Sequence, residues 1–325
     1  MACISKTMTL DLVRIGLAIS NLAIGVVPSF AQQVPDREFK PLALKPRFES
    51  GAGPVVAIDQ AHHNFHTVAG RYSAFAAVLR SDGYRITVSA QAFEEEALAG
   101  VDLLVIANAL AEQNARKWSL PTPSAFKGEE IDALVKWIED GGRLLLIADH
   151  MPFPGSAGDL GKRLGIDDWS NGFAGLNDGE AGNVKLGNLR FQIGPGLELK
   201  NLRLGKPFRE KEIKWVESFT GSAFRTGPEW LPVLKLPSGA RSLEPKQAWK
   251  FSPTTKVVNV AGWNQGAVRK LGKGRIAAFG EAAMFTAQNS GSGRGFGLNS
   301  ESSPHNQDFL RQVVAWLVDE IPSEK

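Results

Sequence analysis

Four of the five histidines in the chain sit in two short stretches, the run Asp59-Gln60-Ala61-His62-His63-Asn64-Phe65-His66 and the pair Asp149-His150. Each stretch opens on an aspartate. Imidazole is the side chain that changes charge closest to neutral pH, and beside a carboxylate it can accept a proton, donate one or ligate a metal. The pattern predicts a water-activating centre. Asp59, His62 and His66 are the expected ligands of a divalent metal, zinc being the first choice for nitrogen and oxygen donors. Asp149, His150 and Glu281 are the expected catalytic groups, with Glu281 as acid or base. Gln60, His63, Asn108 and Arg71 are expected to bind the ligand, Arg71 through an anionic group. Metal-free acid–base catalysis is the other route open to these groups, since His62 and His66 lack the intervening Glu of an HExxH helix.

Each of these residues also has an ordinary structural duty open to it. Asp59 and Asp149 suit caps, the three histidines of the first run suit a solvated loop, and Asn108 suits a turn. Glu281 suits the positive end of a helix, and Arg71 suits the surface. What argues for a site is that all of them except Arg71, which stands just inside the first helix, fall at the ends of strands. Apolar β-branched runs at 54–59, 84–89, 101–108, 143–148 and 274–280 read as buried strands. Between them lie helical periods. Tyr72, Phe75, Ala76 and Leu79 share one face, a short helix is expected near 92–99, and Ile131, Leu134, Val135 and Ile138 share another face. A helix is expected from about Glu281, and a last one from about His305 with Phe309, Leu310, Val313, Trp316 and Leu317 inward. Such alternation predicts an α/β fold with an open parallel sheet covered on both faces, whose ligand site lies beyond the strand carboxyl ends. Trp118 and the segment 151–155 are candidate walls of that site, and 219–224 a candidate overhang.

The remainder bounds the setting. A chain of 325 residues with 43% apolar and 22% charged residues is an ordinary globular protein. Its 37 Lys and Arg against 34 Asp and Glu are interspersed, which argues against a nucleic-acid partner. Lys6 and Arg14, an apolar run at 15–27 and the small residues Ser29 and Ala31 read as an export signal at 1–31, too short in its apolar part to stay as a membrane span. Periplasmic or secreted location follows, with no stable membrane insertion. Cys3 is the sole cysteine and leaves with that signal, so a disulfide, a thiolate nucleophile and a thiolate-held zinc are all excluded from the mature chain. Residues 32–50 read as an extended lead-in, 51–165 and 261–325 as the α/β domain, and 166–260 as a β-rich insertion.

The strand series, IDQAHHNFH, the stretch GGRLLLIADHMPFPG and FGEAAMF before the final helix resemble the class I glutamine amidotransferase-like superfamily, in an exported bacterial branch without an assigned function. The resemblance implies a flavodoxin-like fold. The superfamily's amidotransferases need a Cys after a central strand, where this chain has Asp149-His150, so Cys-dependent glutamine hydrolysis is excluded and fold is implied more than activity. Two functions remain: a hydrolase using the His and carboxylate cluster on a small-molecule or envelope-derived polar substrate, or a non-catalytic envelope module that binds a glycan or other polar ligand. For the exported product, N-terminal sequencing is expected to read from Gln32; recovery of Met1 in a membrane fraction would overturn the leader.

Overall fold

The computed structural model describes residues 33–179, 183–203, 212–291 and 293–319. The expected leader at 1–31, with Cys3, lies outside them. The lead-in contributes β1 (Val34–Pro35). Then come β2 (Val55–Asp59), α1 (Ser73–Ser81), β3 (Arg85–Ser89), α2 (Glu95–Leu98), β4 (Leu103–Ala107), α3 (Gly128–Glu139), β5 (Arg143–Ile147) and α4 (Phe153–Arg163). Apart from a 3-10 turn at Leu199–Leu202, the regular elements among the described residues of 166–260 are strands: β6 (Ile166–Trp169), β7 (Phe173–Asn177), β8 (Val184–Lys185), β9 (Asn188–Gln192), β10 (Trp215–Phe219), β11 (Phe224–Thr226), β12 (Trp230–Lys235), β13 (Ala240–Glu244) and β14 (Lys256–Asn259). The chain closes with β15 (Asn264–Leu271), β16 (Gly274–Phe279), β17 (Ala287–Asn289), β18 (Gly295–Gly297) and α5 (Asn306–Val318).

β3, β2, β4, β5 and β16 lie side by side in that order and are all parallel. Counted along the chain this is the order 2-1-3-4-5, the flavodoxin arrangement, whose switch point lies between the first and third strands. The runs LLVIA and GRIAAF of β4 and β16 are buried at every position, as strands covered on both faces must be. Alternate residues feed two cores. Val56, Ile58, Val105 and Leu145 pack with Phe75 of α1 and Phe309 of α5, while Ala57, Leu104, Ile106 and Leu146 pack with Leu134 of α3 and Leu160 of α4. A buried ion pair between Arg311 of α5 and Asp82 after α1, at 3.0 Å, links two helices on the first face.

The segment 166–260 is woven into this frame. β6, β11 and β12 extend the central sheet beyond β15 to nine strands, β7, β8, β13 and β14 form a second sheet, and β9 pairs with β10. At 281 the structure differs from the sequence reading. Glu281 accepts the backbone N–H groups of Ala283 and Met284, which closes one 3-10 turn at Ala283–Phe285. The chain then enters β17, whose partner β1 comes from the lead-in, so the edge pairing takes the segment that a helix would have used. Among the described residues no helix is long and apolar enough to cross a membrane.

Candidate functional site

The register of the sheet decides which strand-end residues reach the rim. Ala107 of β4 is opposite Ile147 of β5, and Ile147 is opposite Phe279 of β16. Asn108, Ala148 and Gly280 therefore emerge together. β2 is set lower, with Ile58 opposite Val105, which puts Asp59 at the level of Ile106, below Asn108. Asp59 and Asn108 are both fully buried, but only Asn108 lines the cavity that opens at this edge.

That cavity measures about 270 Å³ and is lined by Gln33, Phe65, His66, Arg71, Asn108, Trp118, Asp149, His150, Phe153, Phe219, Trp249, Ala283 and Gln288. It has room for about nine waters at about 30 Å³ each, the size of a small molecule. Phe65, Trp118 and Phe153 form one aromatic wall, with ring centroids 4.9 and 5.1 Å apart along the series. His150 continues that wall, 5.7 Å from Phe153, and stacks on Phe173 at 4.5 Å and meets the edge of Trp249 at 4.8 Å. Phe219 reaches the cavity because the loop after β10 is pressed onto the sheet edge. A side chain at Gly221, whose φ is +83°, would meet the Gly280 carbonyl at 2.4 Å, and Ser222 N–H donates to that same carbonyl at 2.6 Å.

Asn108 fixes the polar side of the cavity. Its backbone is left-handed (φ 54°), a conformation Asn tolerates better than most residues. Its Oδ1 accepts the backbone N–H of Asp149 at 2.8 Å, and its Nδ2 faces His66 Nδ1 at 3.0 Å. Because Oδ1 already holds a donor, Nδ2 must donate, and His66 Nδ1 must accept. His66 therefore carries its proton on Nε2. Burial, then the charge of Arg71, hold its pKa well below the usual histidine value, so it stays a neutral N–H donor. His150 has the opposite tautomer. Its Nδ1 lies 2.7 Å from the Met151 carbonyl, which can only accept, so Nδ1 carries the proton and Nε2 of the neutral ring keeps its lone pair.

The expected metal ligands Asp59, His62 and His66 are not assembled into a set. His62 Nδ1 contacts Asp59 at 2.9 Å and Nε2 contacts Glu130 at 2.9 Å, so both ring nitrogens are occupied by carboxylates. His66 points to Asn108 instead. Among the described residues no group of three or more His, Cys, Asp or Glu stands close enough together to hold a metal. Burial lowers the His62 pKa, but the hydrogen bonds and charges of Asp59 and Glu130 outweigh it and raise it overall. His62 is thus a cationic brace between the β2 loop and the start of α3, where Glu130 also accepts N–H groups from Lys127 and Phe93. Of the other sequence candidates, Gln60 holds Val68 N–H at 3.1 Å and His63 is exposed; neither lines the cavity.

Glu281 is fully buried behind the cavity and is absent from its lining. Burial and the charge of Asp149 push its pKa well above the usual carboxylate value. Asp149, which does line the cavity, accepts His150 N–H at 2.7 Å through one oxygen. The Tyr72 hydroxyl is buried near this acidic pair, has no hydrogen-bond partner among the described residues, and is held protonated by burial and by the charges of Glu281 and Asp149. Sequence reasoning misses Glu130, Gln33, Trp249 and Gln288, and reads Tyr72 only as a core ring and a neighbour of Arg71 at a candidate anion contact. Glu130 is legible only as a helix-start acid.

No protein-family model matches the chain, and no curated protein is similar to it in sequence. Among solved structures, the mmIFT52 N-terminal domain is similar at 16% identity with a TM-score of 0.55, over 82% of this chain and 98% of that one. A ThuA-like protein from Bacteroides uniformis shares 12% identity at a TM-score of 0.45, over 86% and 95% of the two chains. A GMP synthase-type protein from Thermoplasma acidophilum shares 12% identity at 0.39, over 81% and 94%. At such identities the first likeness concerns the fold alone, a mixed α/β fold built on a large, partly parallel sheet.

The buried contacts can be tested at two points. His62 has a folded pKa above its unfolded value of about 6.5, so its stabilisation is complete below that value and is lost as pH rises through the folded pKa. Urea unfolding of His62→Gln is expected to show a loss of about 3 kcal/mol below pH 6.5, shrinking at higher pH; a pH-independent difference would remove the charged brace. Asn108→Asp keeps the acceptor for Asp149 N–H but sets an acceptor against His66 Nδ1. The His66 proton is expected to move to Nδ1, visible in the ring ¹⁵N shifts, and unchanged shifts would contradict the assigned tautomer.

Proposed function

We propose that the chain is an exported hydrolase acting on a small molecule in this cavity, as a branch of the amidotransferase-like fold that works without a thiolate. The observation that supports the reading is a pair of imidazoles lining one cavity in opposite tautomers, which leaves a lone pair on His150 Nε2 and an N–H on His66 Nε2. His150 takes a proton from water as the water oxygen bonds to an acyl carbon. His66 donates a hydrogen bond to the carbonyl oxygen as negative charge develops there, a task for which a neutral imidazole is well suited. When the bond to the leaving group breaks, the proton held by His150 goes to that group. The Met151 carbonyl, which accepts from His150 Nδ1, holds the ring in place while Nε2 carries the transferred proton. Glu281 acts through Asp149 as a positioning group, its buried carboxyl tying the 281–285 turn beneath the cavity.

The alternative is a non-catalytic envelope module, and the specific feature in its favour is the aromatic lining, which suits a ring-shaped polar ligand such as a glycan. Turnover separates the two. With a panel of chromogenic esters and small amides, His150→Ala and His66→Gln are each expected to lower kcat by about 100-fold or more, with melting temperatures near that of the parent. Full turnover in both variants would sink the acid–base assignment, and tight glycan binding with no hydrolysis would transfer the conclusion to the binding module. Stoichiometric zinc in tag-free protein would reassign these imidazoles as ligands.

A further inference from the structure

The geometry points to a substrate that carries a carboxylate, held by Arg71 beside the reacting group; this rests on the hydrolase reading of the same cavity and adds its substrate class. Arg71 is a half-buried cation lining the cavity. Its Nη1 donates to two uncharged oxygens, the Gln33 carbonyl at 2.9 Å and Gln288 Oε1 at 2.5 Å. Its guanidinium carbon lies 4.7 Å from the centre of the Phe65 ring. These contacts fix the plane of the guanidinium and leave its charge uncompensated. Among the described residues no carboxylate stands within ion-pair distance of it. Asp149, the carboxylate in the same cavity, accepts backbone N–H groups from His150 and, at 3.4 Å, from Ala282 instead.

A cation withdrawn from water with no counter-charge is costly, and a ligand anion that pairs with it relieves the cost. The N–H groups on Nε and Nη2 have no hydrogen bond among the described residues, and the planar guanidinium fork matches the two oxygens of a carboxylate through parallel hydrogen bonds. Arg71 directly precedes Tyr72, whose ring lies 4.8 Å from that of His66, and the Arg71 charge already bears on His66. Arg71 and His66 line the same cavity, so a carboxylate held by Arg71 shares that cavity with the N–H that would polarise the reacting carbonyl. The aromatic wall of Phe65, Trp118 and Phe153 takes the apolar body, and a cavity of about 270 Å³ limits that body to about one ring. The implied substrates are small esters or amides that keep a free carboxylate close to the scissile bond.

The test needs no knowledge of the natural substrate. Benzoate, phenylacetate and hexanoate are titrated into the full mature protein by calorimetry, each against its neutral primary amide, and the comparison is repeated with Arg71→Met and Arg71→Lys. At least one acid is expected to bind about tenfold or more tightly than its amide, a preference lost in Arg71→Met and weakened in Arg71→Lys. Equal binding of acids and amides to the parent protein, or no binding of any acid up to about 10 mM, would overturn the proposal without reference to how the variants fold. Acid-selective binding with no hydrolysis of any ester or amide would leave the carboxylate site standing and remove the catalytic reading. Hydrolysis of carboxylate-bearing esters with kcat/KM unchanged in Arg71→Met would do the reverse.

Discussion

Three strand ends meet at Asn108 because a primary amide can accept one hydrogen bond and donate another while carrying no charge. An aspartate there would offer acceptors only, and a glycine, the residue most at ease in a left-handed backbone, would offer no side chain. Through its backbone the same residue receives Phe65 N–H and donates to the Ile147 carbonyl, so the β2 loop and the end of β5 are both gauged from one point. The protonation of His66 is a further result of that gauge, since the amide can sit in only one orientation while Asp149 N–H occupies its oxygen. The chemistry available to the cavity is thus set by a residue that carries no chemistry of its own.

Charge is distributed around this point by burial. His62 is held cationic between two carboxylates, His66 is held neutral a few residues later, and Glu281 is pressed toward its protonated form by burial and by its neighbour Asp149. Two histidines four positions apart in one loop have opposite fates because one faces carboxylates and the other is buried near the Arg71 cation. Local sequence supplies the imidazoles; the partner from a distant element decides what each becomes.

The parallel sheet, its two covered faces and the residues at its carboxyl edge are legible in the sequence because strand runs and helix periods are local properties. Asn108, Asp149, His150, His66 and Arg71 follow from that logic, and all line one cavity. Asp59 and His62 join them only if strand ends are taken as level, whereas the register of β2 against β4 sets Asp59 lower. Register is a property of pairing and leaves no mark in either strand alone. Glu130 illustrates the same limit: it reads as a helix-start acid, and its second bond reaches a histidine 68 positions away. The turn at 281 also lies beyond local reading, because it depends on an edge strand supplied by the lead-in.

That lead-in has a practical consequence for anyone trimming the protein. Val34 and Pro35 pair with Asn289 and Gln288, Gln33 gives its carbonyl to Arg71, and the Leu42 N–H is held by Gln307 of α5. None of this supports the parallel strands, all of which begin after Gly51. A shortened polypeptide starting there would keep every parallel strand in its sequence, but would lose Phe39 and Phe48, which pack against the first core. It would also have lost Gln33 from the cavity lining and with it an acceptor that orients the Arg71 guanidinium, so intact folding of a minimal version is no guarantee that its ligand pocket is intact.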